Sequence, residues 1–161
     1  MGVYIHYRTI DPLDATRAAA IRAAARKFDS GLSWLYCDSV CFDDYPSDNR
    51  LTGSSKLNLQ PHPDDRAAAT ASGLPDGNVR NLFEALCEIS RVHLVDWEVS
   101  HEFSSEPLGF ILGGVIDDDL ILAADGFEEA SAYLAEDFES DFSAFDASFD
   151  PDEQFDDEDD N

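Results

Sequence analysis

An α+β fold, a single domain with a mainly antiparallel sheet and helices on one face, is predicted by three stretches of this sequence. Val3-Tyr4-Ile5-His6-Tyr7 is rich in β-branched and aromatic residues, as strands are. Val79, Leu82, Phe83, Leu86 and Ile89 recur at helical spacing. Val95, Trp97, Val99, His101 and Phe103 alternate with Asp96, Glu98, Ser100 and Glu102, which gives a strand one apolar and one acidic face.

Taken in order, the first strand ends at Ile10-Asp11-Pro12. Asp11 reads as a helix N-cap with Pro12 at the first helical position, and Leu13, Arg17, Ala20, Ile21, Ala24 and Phe28 share one stripe up to a stop at Gly31. Leu32 to Phe42 reads as a second strand and Leu51 to Gln60 as a third, joined across a turn-rich segment that would make them a long hairpin. Pro61 to Gly77 reads as loop with one Ala-rich turn. Asn78 caps the amphipathic helix, which runs toward Arg91, and the alternating strand follows until Pro107 breaks it. Phe110 to Ile116 reads as a further strand beside glycines. Asp125 and Glu128 have the spacing of a capping box opening a last helix with Phe127, Ala130, Leu134 and Phe138 on one side. Strand, helix, strand, strand, helix, strand is the order of a ferredoxin-like unit, here with an added strand and a C-terminal helix.

The chain has 161 residues, 35 acids against 10 Lys and Arg, and a formal net charge of -25. Nucleic-acid binding through phosphates is excluded, since that affinity is built from basic side chains, and anionic membrane surfaces are disfavoured for the same reason. No stretch reaches the roughly 20 apolar residues of a membrane span, and the N-terminus lacks a signal-peptide pattern, so a cytoplasmic protein is expected. Cys37, Cys41 and Cys87 form an odd set without metal or disulfide spacing, with the first two on one strand face and Cys87 beside the helical stripe. The charge is uneven. Residues 125–161 hold 16 acids and no base, whereas residues 1–124 hold 19 acids against 10 bases. Asp outnumbers Glu 24 to 11 and Arg outnumbers Lys 8 to 2, a balance also found in proteins of salt-loaded cytosols, which would make the acidity a matter of habitat or solubility.

No nucleotide-binding or nucleophile-elbow motif is present, and no cofactor is implied. His62, Asp64 and Asp65, with Asp117, Asp118 and Asp119, supply the ligand types of a divalent cation and are the basis of an alternative reading as a metal-dependent hydrolase. The plainer reading makes them a polar loop and a solvated turn. His101 shares the apolar face of its strand, where His6 or Glu106 could come near it. On the opposite face, Asp96, Glu98 and Glu102 form a row of carboxylates that would attract basic residues of a protein partner.

A domain over residues 1–138 is expected to be followed by an acidic, aromatic-containing tail over 139–161, without order of its own when free. Leu134, Phe138, Phe142, Phe145 and Phe149 would fall on one stripe if helical, with acids filling the gaps, the composition of segments that grip basic, partly apolar surfaces. Leu51-Thr52-Gly53, Pro61-His62-Pro63, Asp96-Trp97-Glu98-Val99 and Leu108-Gly109 resemble small bacterial proteins of uncharacterised function, over residues 50–115. That resemblance implies no activity. The leading expectation is a non-enzymatic protein that binds a basic protein partner, through Asp96, Glu98 and Glu102 and through Phe138, Phe142, Phe145 and Phe149.

Overall fold

The computed structural model describes residues 2–44 and 48–146, with side chains as far as residue 135. Along β1 (Gly2–Thr9), Ile5, Tyr7 and Thr9 are buried while Tyr4, His6 and Arg8 are exposed, so the period-two pattern sets two unlike sheet faces. The buried face continues through Gly53, Ser55 and Leu57 of β2 (Thr52–Asn58), Trp97 and Val99 of β3 (Trp97–His101), and Gly109 and Ile111 of β4 (Gly109–Leu112). With β5 (Val115–Ile116) these strands form one antiparallel sheet in the order β2-β1-β3-β4-β5. Thr9 pairs with Trp97, which pairs in turn with Ile111, and this register places the largest core side chain at the sheet centre. Trp97 donates its indole N–H to the Leu86 carbonyl at 3.2 Å, and its ring stacks on Phe42 at 5.8 Å.

Three helices contribute to the core on that face. Helix α3 (Val79–His93) buries Val79, Leu82, Phe83, Ala85, Leu86, Cys87, Ile89 and Ser90, following the stripe in its sequence. Asn78 caps it, accepting from the Arg80 and Asn81 amides at 3.0 and 3.2 Å, and Asn81 returns the bond to the Asn78 amide at 3.1 Å. Helix α1 (Ala15–Ala25) buries only Ile21 and Ala25 and packs on α3. Helix α4 (Asp118–Asp146) lays Leu120, Ala124 and Phe127 against β4 and α3. The predicted α+β class, single antiparallel sheet and one-sided helices are therefore present, but the chain order is strand, helix, strand, two helices, three strands, helix rather than the ferredoxin-like one.

The differences from the sequence expectations have identifiable causes. Leu32 to Phe42 is not a strand: it bridges β2 only at Cys37 with Leu57 and Phe42 with Gly53. Between those points the Tyr7 hydroxyl occupies the ladder, accepting from the Cys41 amide at 2.7 Å and donating to the Cys41 carbonyl at 2.9 Å. Gly53 makes the room, since a Cβ there would collide with the Tyr7 ring and the Cys41 carbonyl. The detour leaves Cys37 buried and Cys41 exposed, so the two do not share a face. The N-cap of α1 is Asp14, which accepts from the Arg17 amide at 2.8 Å, and not Asp11. Pro61 to Gly77 holds a full helix, α2 (Pro63–Ser72), closed by Gly73 at φ 69°. Gly113 and Gly114, at φ 59° and 77°, split Phe110 to Ile116 into a two-strand hairpin. Helix α4 starts seven residues before the anticipated capping box because Asp117 caps it, accepting from the Leu120 amide at 3.0 Å. It also runs through residue 138, where the sequence reading ended the domain, while residues 147–161 lie outside the described residues.

Candidate functional site

Where β2 ends, the N-terminus of α3 faces the middle of α4 across an open groove of about 250 Å³. Leu57 and Leu59, Val79, and Phe127 with Ala132 and Ala135 supply apolar walls. Its polar rim is held in place from several directions. Ser131 donates to the Leu59 carbonyl at 2.7 Å, and Asn78, while capping α3, donates its amide to Glu128 at 3.3 Å. Arg80 bonds both Glu128 oxygens at 2.9 Å and also pairs with Asp125. Hydrogen bonding to Glu128, followed by its charge and that of Asp125, raises the Arg80 pKa above its ordinary value, so the guanidinium stays charged. Asp125 and Glu128 thus tie α4 to α3 instead of forming the anticipated capping box.

Among the described residues the groove's lining holds no assembled nucleophile–base pair. Its ionisable side chains are Glu128, already committed to Arg80, and the Tyr36 phenol, with no nucleophile–base pair between them. Its volume lies below the ~300–1,000 Å³ of typical small-molecule pockets.

The carboxylate row on β3 takes a different form from three free acids. Asp96 accepts from the Gly113 amide at 2.7 Å and holds the β4–β5 turn, Glu98 pairs with Arg8 at 2.9 Å on the open sheet face, and Glu102 accepts from the Tyr4 amide at 3.0 Å. Each is fixed by an internal bond. His101 faces the Ile5 side of the sheet and accepts from the Phe103 amide at 3.0 Å, whereas His6 pairs with Ser100 on the opposite face, so the two imidazoles do not meet.

The candidate metal ligands divide into capping groups. His62 is the N-cap of α2, accepting from the Asp64 amide at 3.3 Å, and Asp64 and Asp65 occupy the first turn, where a helix dipole favours acids. Asp117 accepts from the Phe110 amide at 2.7 Å as well as capping α4, and Asp118 and Asp119 are exposed in the first turn. Among the described residues no three His, Cys, Asp or Glu side chains gather as a metal-binding group, which leaves the hydrolase reading without an assembled site.

Backbone geometry makes positions 134, 138, 142 and 145 one face of α4, the continuation of the face that packs through Leu120, Ala124 and Phe127. Phe149 lies outside the described residues. The groove was invisible to the sequence reading because its walls come from four separate segments, although the Asn78 cap and the α4 stripe each marked one wall. No helix among the described residues is long and apolar enough to cross a membrane. Compared with protein-family models, with curated proteins and with solved structures, the chain matches none.

Proposed function

We propose that this chain is a non-enzymatic acidic interaction protein that binds a basic protein partner, inhibiting or neutralising it. The observation carrying this reading is the apolar groove beside α4. The helix face that packs Leu120, Ala124 and Phe127 against the core borders an open groove at Ser131 and Ala135, and backbone positions 138, 142 and 145 continue the same register further along α4. In the sequence Glu129, Glu136 and Asp137 precede that run and Glu139 and Asp141 alternate with it, so acids and aromatic residues are interleaved along this part of the chain. A basic, amphipathic segment meets both requirements: apolar anchors fill the groove, and Lys or Arg approach the acids. Asp96, Glu98 and Glu102 add negative field on the sheet side, which speeds encounter more than it tightens the complex.

The test uses the full chain and an amphipathic helical peptide of lysine and leucine, with binding measured at low and moderate salt. Replacing Phe138, Phe142, Phe145 and Phe149 with Ser leaves every charge in place. The expected outcome is at least a tenfold loss of affinity at moderate salt, where carboxylate attraction is screened over a Debye length of about 8 Å and ring burial is not. Equal affinities at both salts would remove the aromatic grip and overturn the reading.

A further inference from the structure

Helix α2 buries a single residue, Ala69. The positions it turns toward residues 32–38, Asp65, Ala68, Ala69 and Ser72, follow helical spacing but carry short side chains, so the helix stands over that segment without filling the space between them. The resulting cleft holds about 650 Å³, inside the ~300–1,000 Å³ of small-molecule sites. Leu32, Trp34 and Leu35 form its opposite wall, and Leu74 lies at one end.

That wall is held from both sides. The Ser33 and Tyr36 amides donate to the Pro75 and Gly77 carbonyls, and the Asp38 and Asn58 amides donate to the Lys56 and Tyr36 carbonyls, all at 2.9 Å. Trp34 has φ 52°, a left-handed conformation that a bulky residue keeps only where its surroundings enforce it. Here the indole N–H donates to the Phe28 carbonyl at 2.9 Å, and Gly77 makes room, since a Cβ there would collide with the indole and with the Trp34 backbone. The charge at the cleft has one sign. Asp38 and Asp65 line it, and among the described residues neither has an ion-pair partner. Lys56 borders it, but its side chain runs across Gly2 of the neighbouring strand, and Arg66 is not a lining residue.

We propose that the cleft between α2 and residues 32–38 binds a small arylalkyl ammonium ion, with its ring between Trp34 and the alanines of α2 and its ammonium group on Asp38 and Asp65. An anion would meet two carboxylates. A hydrated inorganic cation would leave the indole and alanine walls facing water, whereas an ammonium on an aromatic body covers them and adds cation–π attraction to the indole. The cleft shares only Asn58 with the groove beside α4, so this site does not rest on the partner reading, and either can fail without the other.

The test titrates the isotope-labelled full chain with three probes of like size, 2-phenylethylammonium, 3-phenylpropanol and 3-phenylpropionate, and follows amide and indole shifts. The ammonium should give saturable shifts confined to residues 32–38 and 63–74 and to the Trp34 indole, with half-saturation near ~1 mM for a ligand of this size. The alcohol should bind more weakly, and the carboxylate should give no shifts. Asp38→Asn with Asp65→Asn should weaken the ammonium by about fivefold, the scale of partly exposed ion pairs, and leave the alcohol unchanged. Ala68→Phe and, separately, Ser72→Phe fill the cleft from exposed positions and should abolish binding of both. Equal affinities for all three probes, shifts spread over acids elsewhere on the surface, or no saturable shift with the ammonium would each overturn the proposal.

Discussion

Helices α1 and α3 lie against each other and are built in opposite ways. Eight positions of α3 are buried and two of α1 are, although the two differ by only four residues in length. Helix α3 is specified by its stripe: apolar side chains at helical spacing reach the sheet, and a reciprocal Asn78–Asn81 cap closes its start. Helix α1 has seven alanines in eleven residues, so propensity holds it helical while Ile21 and Ala25 anchor it. Burial makes a helix part of the core, whereas alanine keeps a helix standing on few buried anchors.

The largest break in that contrast is Phe83→Ala in α3. It removes a ring that is 1 % exposed and leaves a cavity, at a cost of about 3–5 kcal/mol, a large fraction of a typical domain's stability. Chemical denaturation of the full chain checks it, and a loss under ~1 kcal/mol would mean that α3 does not anchor the core.

Alkaline pH provides a second, chemically distinct probe. Burial raises the thiol pKa of Cys87 in α3 and, further, that of Cys37 against β2, as it raises the Tyr7 phenol, while α1 has no buried titratable group. The folded state holds these protons after the unfolded chain has released them. Their stabilisation is fully present below the ordinary thiol value of about 8.5 and falls as pH rises from there toward the folded values. For Cys37, 1 % exposed, the slope approaches about 1.4 kcal/mol per pH unit, and thermal melts between pH 8 and 10 should show it. Cys37→Ala should flatten that slope even though it lowers stability at neutral pH.

The smallest expected effect sharpens the α1 side. Ala20→Gly sits at an exposed position in the helix middle and should cost about 1 kcal/mol through propensity alone, with no cavity. Urea titration with an unchanged m-value is the signature, and a cost of several kcal/mol would show that α1 is a packing element after all.

Local signals decided a great deal. The period-two run of β3 and the 3.6-residue stripe of α3 were legible because burial on one face imprints its own period on a sequence, and β1 and the Asn78 cap were legible from residue type. The uneven charge was equally legible. Residues that cap or bridge at a distance were not. Asp117 capping α4, Arg80 drawing Asp125 and Glu128 to α3, and Tyr7 displacing the backbone at Cys41 each join residues separated in sequence or choose among acids of equal local merit.

By itself the sequence determined the α+β class, the buried face of β3 and the acidic C-terminal region, since propensity, periodicity and charge are properties of neighbours along the chain. Only the tertiary structure decided the strand order, the detour of 32–42 around one hydroxyl and the groove beneath α4. Those depend on which distant backbone groups and side chains compete for the same space and hydrogen bonds, and that competition leaves no period to read.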